Sequence, residues 1–136
     1  TLFSSRAEYE HLLGQCRLTL ALDADIIKHF HEHRSMFEEM KDAALRKLDR
    51  SRTDEGRGRI FEEKEMETTY AGSFLTSVSR VDLGQSPCLD FLIGGMVDNS
   101  VGYLYVRNKA DLPEMDPGGY IMIREIGGGW YIYKTT

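Results

Sequence analysis

Apolar residues in the first third of the chain recur at helical spacing. Tyr9, Leu13, Cys16 and Leu20 follow one another at intervals of four, three and four, with Ser4 or Ser5 placed to cap ahead of Glu8. The spacing predicts one helix with a single buried stripe. From Asp23, read as an N-cap, Ile26, Phe30, His33, Phe37, Met40, Ala44 and Leu48 continue the alternation, while Glu32, Glu38, Glu39, Lys41 and Arg46 fall off the line. Two such helices joined at "LALDAD" pair as a helical hairpin, which ends near Asp49 where "DRSRTDEGRGR" brings in Gly56, Gly58 and turn-forming polar residues.

The pattern then shifts. "RIFEEKEM" reads as a short edge strand or a lead-in, and Tyr70, Phe74, Leu75 and Val78 predict a third, shorter helix reaching about Leu83. From Cys88 the chain turns to strand: "CLDFLIGGMV" and "VGYLYVRN" flank the turn "DNS", and "GYIMIREI" and "WYIYKT" flank "GGG". An antiparallel meander of about four strands is the economical reading, with the proline- and glycine-bearing loop "KADLPEMDPGG" letting the middle two strands meet. Gly94 and Gly95 mark a bulge or a close backbone approach. The expected architecture is one α+β domain: a helical hairpin over 1–50, a strand/helix connector over 57–83 and a meander over 88–135.

With 136 residues, 41% of them hydrophobic, the chain can build an ordinary core without metals or bridges. Seventeen basic against 22 acidic residues give a formal net charge of -5, the wrong sign for gripping a phosphate backbone, and no basic cluster offsets it. No nucleic-acid partner is expected. No run approaches the roughly 18 apolar residues of a membrane span, so no transmembrane segment is expected either. The start at Thr1 is compatible with a mature form that has lost an export signal or anchor. Cys16 and Cys88 form no metal spacing and read as two separate buried thiols, with a disulfide as the alternative.

Three of the four histidines sit at alternate positions in "KHFHEHRSMF". On a helix His29 and His33 share a face while His31 points away, so the three cannot converge on one ion. The pair lacks the glutamate neighbour of the helical zinc signature, and only His11 or a distant carboxylate could add a ligand. No metal site is expected. His33, on the stripe between Phe30 and Phe37, reads as a half-buried core histidine, or in its functional version as a pocket histidine. No GxSxG, phosphate loop or EF-hand spacing occurs, so neither catalytic residues nor a cofactor are expected.

Tyr103 and Tyr105, and likewise Tyr131 and Tyr133, are spaced in twos, so each pair shares a sheet face, and Trp130 falls on the other face of its strand. Leu104, Val106, Ile121 and Ile123 are the expected helix-facing residues, which places the tyrosines on an open recognition face beside "DLPEMDPGG", with a tyrosine face that covers the core as the alternative.

The segments "FHEHRSMFEEMKDAAL", "VGYLYVRNKADLP" and "YIMIREIGGGWYIYK" resemble small bacterial exported or lipoprotein-type proteins that pair an F-x-x-H-R-x-x-F-E helix with a Y-R-x-I-x-x-x-W-Y-x-Y closing segment. Phe30, His33, Arg34, Phe37, Glu38, Gly102, Tyr103, Tyr105, Arg124, Ile126, Trp130, Tyr131 and Tyr133 carry the likeness, and the tyrosine expected before Arg124 is missing. The resemblance implies a cell-envelope or periplasmic address, with the cytoplasm as the alternative, and brings no activity with it. The element order is also similar to the nuclear-transport-factor-like cone fold, which implies an enclosed pocket. Two functions are therefore expected in competition. The first is a non-enzymatic envelope module binding a protein or small ligand through His33, Tyr103, Tyr105, Trp130, Tyr131 and Tyr133; the second is a cone-type pocket enzyme or binder using His33.

Overall fold

The computed structural model describes residues 6–50, 59–82, 86–96 and 99–135. The expected caps Ser4 and Ser5, the glycines Gly56 and Gly58 and Asp98 of the "DNS" turn lie outside the described residues. Four α-helices, α1 (Arg6–Thr19), α2 (Asp23–Glu32), α3 (Arg34–Arg50) and α4 (Glu63–Glu67), accompany five strands, β1 (Ser77–Asp82), β2 (Pro87–Met96), β3 (Asn99–Tyr105), β4 (Tyr120–Gly127) and β5 (Trp130–Thr135). The class is α+β with a fully antiparallel sheet. No described helix is long and apolar enough to cross a membrane.

Three expectations need correction. The single helix expected from Asp23 is broken at His33, whose φ of -118° and ψ of 22° separate α2 from α3. The apolar stripe survives the break, because Ile26, Phe30, Phe37, Met40 and Ala44 are all fully buried. Nor is Asp23 the cap: Leu22 takes that position, and the Asp23 carboxylate instead reaches Lys134 at 2.5 Å and Arg124 at 3.9 Å, tying the start of α2 to the end of the sheet.

The expected helix over Tyr70–Val78 does not form. The short helix lies earlier, as α4, closed at its start by a capping box in which the Glu62 amide donates to Glu65 at 3.1 Å. Val78 belongs to β1, a fifth strand that lengthens the expected four. Strand propensity was hidden here because "TSVSRVD" has only two apolar residues, Val78 and Val81, set three apart, and acquires its pairing only against β2.

Strand order is the third difference: β1-β2-β3-β5-β4, so β3 pairs with β5 and β4 lies at the edge. The loop after β3 carries the chain past the place of β5 before β4 returns to it, rather than joining neighbours. Bulges fall at Leu92/Gly94, at Tyr120/Met122 and at Glu125/Gly127, the first where Gly94 and Gly95 indicated one.

Both faces of the sheet are buried. On the helix side Phe30 and Phe37 meet Phe91, Tyr103 and Trp130, with Phe30 at 5.0 Å from Trp130, Phe37 at 5.1 Å from Tyr103 and Phe91 at 4.7 Å from Trp130, centroid to centroid. On the other side Cys88, Leu104, Val106, Tyr131 and Tyr133 form a second cluster, over which Leu112, Tyr120 and Ile123 pack. Burying each large ring is worth about 1.5–3 kcal/mol, so these two layers dominate the hydrophobic stabilisation.

Candidate binding site

α1 presents an unexpected face to the protein. Of its predicted stripe, Tyr9, Cys16 and Leu20 are exposed, whereas His11 and Leu18 are buried. The reason lies in what α1 meets: backbone carbonyls in the segment before β1 and in β2, which need donors. His11 Nε2–H donates to Leu75 O at 3.0 Å, and Gln15 donates to Ile93 O at 3.0 Å and to the Thr76 hydroxyl. A polar inward face is the better match to these carbonyls than the apolar stripe. Cys16 is thus exposed rather than buried, Cys88 is buried, and both are free thiols.

The segment between α4 and β1 is the most unusual backbone described. Gly72 has φ of 92° and Phe74 has φ of 61°, the only positive value at a non-glycine among the described residues. A left-handed phenylalanine costs about 1–3 kcal/mol and persists only where its surroundings over-determine it. Two histidines from different helices do so. His29 Nε2–H donates to Ser73 O at 2.7 Å, and His11 donates to Leu75 O, so the carbonyls on either side of Phe74 are each held by an imidazole. The Phe74 ring stacks on His29 at 5.0 Å and 15°, and lies so close to Gly14 that any side chain there would collide with it.

This arrangement answers the histidine cluster. His29 is buried, His33 is half-buried and donates through Nδ1 to His29 O at 3.0 Å, and His31 is exposed. The His29 and His33 rings lie 4.4 Å apart. Burial, with a smaller contribution from His33, holds His29 below the usual imidazole range despite the opposing bond to Ser73. Neutral His29 carries its one proton on Nε2, where the clamp needs it. Among the described residues no group of three or more His, Cys, Asp or Glu side chains is arranged to hold a metal.

Two clefts flank the clamped segment. One, of about 450 Å³, is lined by Glu10, Leu13, Gly14, Arg17 and Phe74. The other, of about 300 Å³, lies between α1 and α4 and is lined by Glu8, His11, Gln15, Glu63 and Glu67 among others.

The expected site residues are dispersed instead. Tyr103 is fully buried and donates to Ile26 O at 2.6 Å; Tyr105 is half-buried beneath the Lys41 ammonium at 5.1 Å. Trp130 is fully buried, its indole donating to Glu38 at 2.8 Å. Burial pushes Glu38 up, but the bonds from Lys41 and Trp130 outweigh it and hold the carboxyl below its usual range. These three residues share the helix-facing side, because Tyr105 pairs with Trp130 and Tyr103 with Ile132 across the ladder. Tyr131 and Tyr133 lie on the opposite side, opposite Leu104 and Gly102. An open tyrosine face is therefore not built, and Leu104, Val106 and Ile123 pack with Tyr131 and Tyr133 rather than against the helices, while Ile121 is exposed.

One polar pair in the second cluster stands out. Tyr133 reaches across Gly102 and donates to Asp90 at 2.5 Å, and burial pushes the Asp90 carboxyl up to about 6 against the smaller downward pull of that bond. Asp90 and Phe74 carried no signal by residue type, since an aspartate in a strand and a phenylalanine in a loop are each ordinary until their surroundings are known.

Fold and clefts together define a small α+β domain with a filled interior and a histidine-clamped loop between two surface clefts. No protein-family model, curated protein or solved structure matches this chain.

Proposed function

We propose that the protein is a non-enzymatic binding module of the bacterial cell envelope, recognising a small ligand or a protein segment at the Phe74 loop and its two clefts. The observation that carries this reading is the filled interior. Phe30, Phe37, Phe91, Tyr103 and Trp130 occupy the space between helices and sheet where a cone-type pocket would open, and no described cleft reaches His33. A strained loop held by two histidines supports a recognition role, because strain persists where a fixed geometry is useful. The envelope address rests on the resemblance of the Phe30–Glu38 segment and the Trp130–Tyr133 strand to exported proteins.

The test is a panel of neutral, anionic, cationic, sugar and peptide fragments followed by amide NMR. Bound fragments are expected to perturb α1, α4 and residues 70–76 while remaining chemically unchanged. A fragment that perturbs His33 and the Trp130 face and is consumed over time would establish the pocket-enzyme alternative. Fractionation of cells producing the protein from its native gene tests the address, and recovery solely in the cytosol would overturn it.

A further inference from the structure

We propose that the outward face of α1 is a self-association surface, on which a second copy of this chain packs its own α1 antiparallel about a two-fold axis. This goes beyond the binding-module reading and does not depend on it. Tyr9, Leu13, Cys16 and Leu20, spaced four, three and four, lie on the side of the helix turned away from the buried His11 and Leu18. That side is largely open. Leu20, just past the helix end, is 75% exposed and Leu12 41%; Cys16 is exposed, and Tyr9, engaged within its own chain, still shows 49%. Exposed leucines scattered singly need no explanation, but a row of neighbours at this spacing is the seam along which two helices pair. Beyond the helix end Leu20 shares a cleft of about 210 Å³ with the exposed Ile121, which extends the apolar surface onto β4.

The residues flanking this seam select the partner and its direction. On one flank stand Glu10 and Arg17, both exposed; on the other stand Leu12 and Thr19. When two copies pair antiparallel, like flanks meet, so Glu10 of one copy faces Arg17 of the other, and the two-fold axis makes this ion pair twice. Leu13 of each copy then rests on Cys16 of the other, and Leu20 on Tyr9. A parallel pair sets unlike flanks together and puts Glu10 and Arg17 beside Leu12 and Thr19, which answers neither charge. The surface is therefore complementary to itself in one orientation, as an isologous dimer requires. The Arg6–Glu10 bridge at 2.9 Å joins exposed side chains of one helix, a contact of little energy that Glu10 can share with the incoming Arg17. A seam this short falls below the roughly 800 Å² per partner of a stable interface, so the dimer is weak and reversible.

Sedimentation equilibrium of the whole chain from about 10 µM to about 1 mM, under reducing conditions, tests this, with half-dimerisation expected on the order of 100 µM. Leu20→Lys and Cys16→Lys, both at exposed positions, should weaken the dimer by about tenfold or more while circular dichroism shows the fold retained. Glu10→Arg and Arg17→Glu should each weaken it as well, because each sets like charges across both flanking contacts. Mixing those two variants should restore association as a heterodimer, since opposite charges then face each other again. A monomer at about 1 mM, a dimer indifferent to Leu20→Lys and Cys16→Lys, or a mixture of the charge variants that associates no better than either alone would overturn the assignment. So would a chain that stays monomeric and instead cosediments with phosphatidylglycerol vesicles, a result that gives the face to a lipid surface.

Discussion

Asp90 offers a stability prediction whose sign is set by the structure. Its carboxyl is pushed by burial up to about 6, whereas in the unfolded chain an aspartate titrates near about 3.9. The folded state therefore binds this proton more tightly than the unfolded one. Stability from this group rises as pH falls from about 6 towards about 4, and is lowest above 6 where the charge is buried. About two pH units at about 1.4 kcal/mol each make a penalty of about 3 kcal/mol at pH 7 and above, an upper figure because the side chain retains some solvent contact. Asp90→Asn removes the charge while its amide oxygen can still accept from Tyr133. The variant is expected to be more stable than the parent by about 1–3 kcal/mol at pH 8, with the difference vanishing near pH 4. Urea unfolding followed through the fluorescence of Trp130, the chain's one tryptophan and fully buried, measures this at each pH. His29 acts in the opposite sense, so the difference between parent and variant, not either curve alone, isolates Asp90. A difference that stays constant between pH 4 and 8, or a variant less stable at pH 8, would refute the reasoning.

Because burial lowers the His29 titration, the folded state resists protonation and its contribution to stability is expected to fall as pH drops below about 6.5; His29→Gln should flatten that part of the urea-midpoint profile. Gly14→Ala, which in an exposed helix gains about 1 kcal/mol, should instead destabilise by about 1–3 kcal/mol because the methyl meets the Phe74 ring, and unchanged or raised stability would show that the ring is free to move. Tyr103→Phe should cost about 1 kcal/mol in urea unfolding through loss of the bond to Ile26 O. Paired Tyr131→Ser and Tyr133→Ser changes are expected to cost several kcal/mol, and a loss below about 1 kcal/mol would place those rings at an open surface.

The periodicity of α2 and α3 was legible because it reports a helix buried along one side. Ile26, Phe30, Phe37, Met40 and Ala44 are as buried as their spacing implies, even across the break at His33. The α1 stripe had the same form and misled, since spacing records that apolar residues share a face but not whether that face is the one covered. His11 and Gln15 turned inward to meet carbonyls supplied by residues more than sixty positions away. The tyrosine alternation was read correctly as two pairs, yet its sides depended on register and on a second covered face. Neither is local information.

The sequence by itself determined the class, the helix-then-sheet order and the glycine bulge in β2, because each follows from backbone geometry within a few residues. Tertiary structure alone decided that β5 lies between β3 and β4, that both sheet faces are buried, that Asp90 meets Tyr133 over Gly102, and that His11 and His29 hold the carbonyls beside Phe74. These depend on which surfaces meet after long loops close. That choice is made by the summed burial and hydrogen bonding of the whole domain, to which no short stretch of the chain gives access.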